Sequence, residues 1–93
     1  MLEALKQELT AIWNEKIEAV TSLIRRAIAQ GVHVDLLVTS KAQEELAHGY
    51  ILGLRVPADQ LAKIHILPDM ENNAEPGHLR VHMAAIFAQY VNR

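Results

Sequence analysis

From Met1 to Gln30 the chain contains no proline and no glycine, and Gly31 ends the run. The residues are mostly Ala, Leu, Ile, Glu, Lys, Arg and Gln, strong helix formers, so residues 1–30 are expected to form one long helix. Such a helix would be roughly 43 Å long, whereas a compact domain of this size has a diameter of about 32 Å. It should therefore overhang its own domain, and the apolar surface of the overhang needs a cover. Self-association, as a dimer or a higher homo-oligomer, supplies one most simply, and another protein could join it. The expected interface residues are Leu2, Leu5, Leu9, Ile12 and Trp13. The first four follow the alternating three-and-four spacing of a coiled-coil seam, and Trp13 suits an interface anchor and a core position equally well.

Ninety-three residues make one domain, 1–93, without room for two cores. Hydrophobic residues are 51% and charged residues 22%, as in a folded globular chain. Nine Lys and Arg against eleven Asp and Glu give a net charge of −2, with the basic residues scattered apart from Arg25 and Arg26. Nucleic-acid binding normally shows a clustered basic stripe, so it is disfavoured; it would need Arg25, Arg26, Lys41 and Arg55 to converge on one oligomer surface. The chain has no cysteine, which removes disulfides, thiolate metal sites and thiol chemistry. Charged residues from Glu3 to Glu18 are too dense for a membrane span or a secretory apolar stretch, and the expected location is the cytoplasm.

Residues 31–67 read as strand, helix, strand, strand. Val32, Val34, Leu36 and Val38 alternate, as in a strand with one buried face. Ser40 with Gln43 forms a capping box that opens a short helix. After Gly49 the alternation of Tyr50, Leu52, Leu54 and Val56 favours a strand over a helix continuing to Gly53, and Ala62–Leu67 forms a third strand. Residues 68–75 are a polar loop. Pro76 begins a C-terminal helix over 76–92 that presents Leu79, Met83, Ile86, Phe87 and Tyr90 on one face. The expected fold is α+β in the order α-β-α-β-β-α, with the two long helices on one face of a small three-stranded mixed sheet.

Histidine is the residue type that could carry unusual chemistry. On the C-terminal helix His78 and His82 would lie one turn apart, as a divalent metal requires, with oxygen ligands from Asp69, Glu71 and Glu75. Two surface histidines reach that spacing readily by chance. His33 and His65 fall on outward positions of two strands, beside Asp35 and Lys63, and would form a cross-strand pair if those strands are neighbours. Thr39-Ser40-Lys41 could offer an anion site at a helix N-terminus, but capping explains those residues more simply. No catalytic residue and no cofactor other than a divalent metal is indicated. The leading expectation is a non-enzymatic assembly, adaptor or regulatory binding protein. The alternatives are a small metal-dependent or acid–base enzyme near His78 and His82, and an oligomeric nucleic-acid-binding regulator.

Overall fold

The computed structural model describes residues 2–12, 17–70 and 77–84. Its elements are α1 (Leu2–Ile12), α2 (Ile17–Ala29), β1 (Val34–Val38), α3 (Lys41–Leu54), α4 (Ala58–Leu61), β2 (Ile64–Pro68) and β3 (Leu79–His82). The class is α+β. The three strands form one sheet in the order β2-β1-β3, and both pairings are parallel, which corrects the expected mixed sheet. Being central, β1 is buried along nearly its whole length. That explains its continuous apolar character apart from Asp35.

The expected overhang is not found. Arg26 of α2 donates to Glu8 of α1, eighteen residues away, so the two helices lie side by side. In a straight helix those residues would be about 27 Å apart. Leu5 and Leu9 are 5% and 6% exposed, packed in one core with Val20, Leu23, Ile24 and Ile28 of α2. Leu2 lies against the same core. The principal extents of the molecule are 32 × 28 × 25 Å, less than the single helix would need. Three of the five expected interface residues thus spend their apolar surface inside the chain; the side chains of Ile12 and Trp13 lie outside the described residues.

Gly31 closes α2 as expected. Its own N–H donates to the Ile28 carbonyl and the Val32 N–H donates to Ala27, the paired bonds of a Schellman ending. With φ +85° it adopts a conformation costly to any residue with a Cβ, while the space around it is open. Gly31→Ala is therefore expected to lower stability by about 1 kcal/mol through backbone strain alone, measurable by urea unfolding.

Ser40 caps α3 by accepting from the Gln43 N–H, and Gln43 Oε1 accepts from the Thr39 N–H. The capping box is thus present, and it occupies donors an anion would have used. The strand expected over 50–56 is instead the second half of α3. Ala47, Tyr50 and Leu54 are buried at helical spacing, while Gly49, Leu52 and Gly53 face outward. Two exposed glycines cost the helix propensity but not packing, and burial of the other face prevails. Tyr50 is further tied to α2 by a hydrogen bond with Thr21.

The C-terminal helix expected over 76–92 is also corrected. Leu79–His82 forms β3, with Leu79 and Val81 buried in alternation, because β1 offers it a paired edge. Residues 71–76 and 85–93, which hold the remainder of the expected loop and helix, lie outside the described residues.

Core side chains Val34, Leu36, Ile64, Leu79 and Val81 share one sheet face with α1, α2 and α3. By the alternation of a strand, the other face carries Asp35, Leu37, His65, Leu67, Arg80 and His82. His33 and His78, each one residue before its strand, continue that face.

Candidate functional site

The parallel register assembles the site. Asp35 on β1 stands opposite His65 on β2 and Arg80 on β3, and Leu79 donates its N–H to the carbonyl of His33. Three histidines separated by 32 and 43 positions from their partners in sequence therefore meet at the N-terminal ends of the three strands. His33 Nδ1 and His65 Nε2 are 2.8 Å apart and share a hydrogen bond. Their rings are parallel to within 5° and stacked, with centroids 5.1 Å apart. His78 is parallel to both, at 4.8 Å from His33 and 5.7 Å from His65. The cross-strand pair expected of His33 and His65 is present, and His78 joins it.

Asp35 is fully buried, and His78 donates from Nδ1 to both its oxygens at 3.0 and 3.1 Å. Among the described residues His78 is its side-chain partner. A buried carboxylate needs a compensating positive charge, and a proton on His78 or a metal ion in its place can supply it. Desolvation, then His78, His65 and Lys63, hold the His33 pKa below its ordinary value, against the opposing pull of Asp35. Native His33 thus prefers the neutral form. Its contribution to stability is present above the unfolded value near 6.5 and is lost as pH falls below it, because the unfolded chain takes up the proton first.

Asp35, His65 and His78 each offer a ligand atom, and the three atoms lie within 4.8 Å of one another. In a tetrahedral zinc site with bonds of 2.0–2.2 Å, neighbouring ligand atoms are about 3.4 Å apart. The His78–Asp35 separation falls just inside that spacing and the 4.8 Å bound on the group lies outside it, so an ion would have to draw the three side chains together. Two imidazoles and a carboxylate are the ligand set of several catalytic zinc and non-haem iron centres. His65 also lines an open cleft of about 480 Å³ with His48, Ile51, Leu61, Ile64, Ile66 and Leu67.

His78 and His82 do not form the expected pair. On a strand a separation of four residues spans about 13 Å, and the two lie at opposite ends of β3. His82 donates instead to Asp69 at 2.8 Å. The other proposed oxygen donors, Glu71 and Glu75, lie outside the described residues. Asp35 was visible in sequence only as a charged residue interrupting a buried strand, which is itself the signal that it needs a partner.

The basic residues considered for nucleic acid are partly committed elsewhere. Arg25 donates to the Leu54 carbonyl at 3.1 Å and Arg26 pairs with Glu8. Among the described residues no helix is long and apolar enough to cross a membrane. Comparison with protein families, with curated proteins and with solved structures finds no match.

Proposed function

We propose that this protein binds a divalent transition-metal ion of the zinc class through Asp35, His65 and His78. The observation that carries this reading is the convergence of one carboxylate and two imidazoles, from β1, from β2 and from the residue before β3, within 4.8 Å. The ion would balance the buried Asp35 charge and bind the two imidazoles in their neutral form. His33 contacts His65 and acts through it: a hydrogen bond to a ligating imidazole fixes its orientation, a contact commonly worth about 10–100-fold in metal affinity. The expected assembly role loses its main support with the burial of Leu5 and Leu9, and the His78–His82 metal pair gives way to the Asp35 centre.

Titration calorimetry of chelator-treated protein with zinc tests the reading. The expected result is one ion per chain, with affinity reduced at least about tenfold in His65→Ala and in His78→Ala. His48→Ala and His82→Ala should bind as the wild type does. Affinity should fall as the solution is made more acidic, since protons compete with the ion for its ligands. Equal affinity in His65→Ala, His78→Ala and the wild type would contradict the assignment.

A further inference from the structure

We propose that the bound metal takes a small oxyanion, a carboxylate or a phosphonate-like group, as its exogenous ligand, and that Arg80 holds the anion's second oxygen. This rests on the metal reading above and adds a residue and a ligand class to it. Arg80 stands directly across from Asp35 and two residues after His78, on the same sheet face. Its Nε is buried and has no hydrogen-bond partner among the described residues. A guanidinium beside a carboxylate ordinarily forms a forked pair with it, yet among the described residues it is His78, not Arg80, that bonds the Asp35 oxygens. Arg80 is left with a desolvated donor beside the site, unpaired among the described residues.

Charge and coordination point the same way. With the ion bound, Asp35 is the one anion named at the site, while the ion and Arg80 are cations and a metal-bound imidazole is neutral. The surplus is positive, on a face where solvent screening is reduced. Three protein ligands also leave a tetrahedral ion one position short. An oxyanion completes the coordination with one oxygen and accepts from Arg80 with another, and it lowers the surplus charge. Water in that position would fill the coordination but leave both the charge and the buried Nε uncompensated. Arginine suits this task better than lysine because its planar fork matches two oxygens at once.

Cobalt(II) provides the test, since its visible absorption reports the coordination sphere without any catalytic assay. The cobalt-loaded protein is titrated in parallel with methylphosphonate and with acetate. Either anion should shift the spectrum saturably, and the stronger of the two identifies the preferred source of the oxyanion. Arg80→Met should weaken that response about tenfold or more while leaving cobalt affinity in anion-free buffer close to wild type; Arg80→Lys should fall between. An unchanged spectrum with both anions, or equal anion affinity in Arg80→Met, would overturn the proposal while leaving the metal site standing. Failure of the metal reading appears earlier and separately, as the absence of a protein-bound cobalt spectrum before any anion is added.

Discussion

Zinc at a hundred times its dissociation constant is expected to raise the unfolding temperature of the wild-type chain by roughly 10–20 °C and to leave Asp35→Asn almost unmoved. A ligand that binds only the folded state at that excess contributes about 2.7 kcal/mol, and each kcal/mol moves the midpoint of a domain this size by about 4–8 °C. The effect should be of this kind because the ligands lie on β1, on β2 and just before β3 and are assembled only by folding. Asp35→Asn keeps the side-chain shape but removes the anionic ligand and the charge that makes an ion welcome. The zinc-free variant should unfold within a few degrees of the zinc-free wild type, since a neutral amide is cheaper to bury than a carboxylate. Differential scanning calorimetry with and without zinc separates the two effects. His82→Ala serves as control and should retain the full shift. An equal shift in Asp35→Asn and wild type would place the ion elsewhere.

The second large effect concerns the N-terminal helix. Leu5→Asp or Leu9→Asp is expected to unfold most of the population instead of releasing folded monomers. Each leucine is nearly fully buried against α2, so its loss removes about 2–5 kcal/mol of packing and transfer energy. The introduced carboxylate adds a desolvation cost of a few kcal/mol more. Together these approach the whole stability of a small domain, about 5–15 kcal/mol. Circular dichroism, urea titration and light scattering on one sample read the outcome. A well-folded monomer derived from a wild-type oligomer would show that these leucines face another chain. Loss of the native signal without a prior change of mass agrees with their place in the core.

These contrasts show which parts of the molecule are legible from residues alone. β1, β2 and the start of α3 are local features: alternation, a capping box and a helix-ending glycine are written in adjacent residues. The pairing of His33 with His65 followed from the same alternation, because equivalent positions on neighbouring strands share a face. The separation of α1 from α2 was not legible, since nothing between Leu2 and Gln30 has low helix propensity enough to announce it. Leu5 and Leu9 share one core with the buried residues of α2. Leu79 and Met83 are both buried, as a helical stripe would require, but β1 recruits Leu79–His82 as a strand and so moves His78 away from His82. The meeting of His78 with Asp35, 43 positions apart, depends on the order β2-β1-β3. No local pattern encodes that order, and the histidine spacing seen in the sequence pointed to the wrong partner.

Crystals soaked in zinc and measured on both sides of the zinc absorption edge give the most direct answer. The expected anomalous difference map has one strong peak per chain, between Asp35, His65 and His78. A map empty there, or one whose peak lies at His82 and Asp69, would contradict the proposed centre.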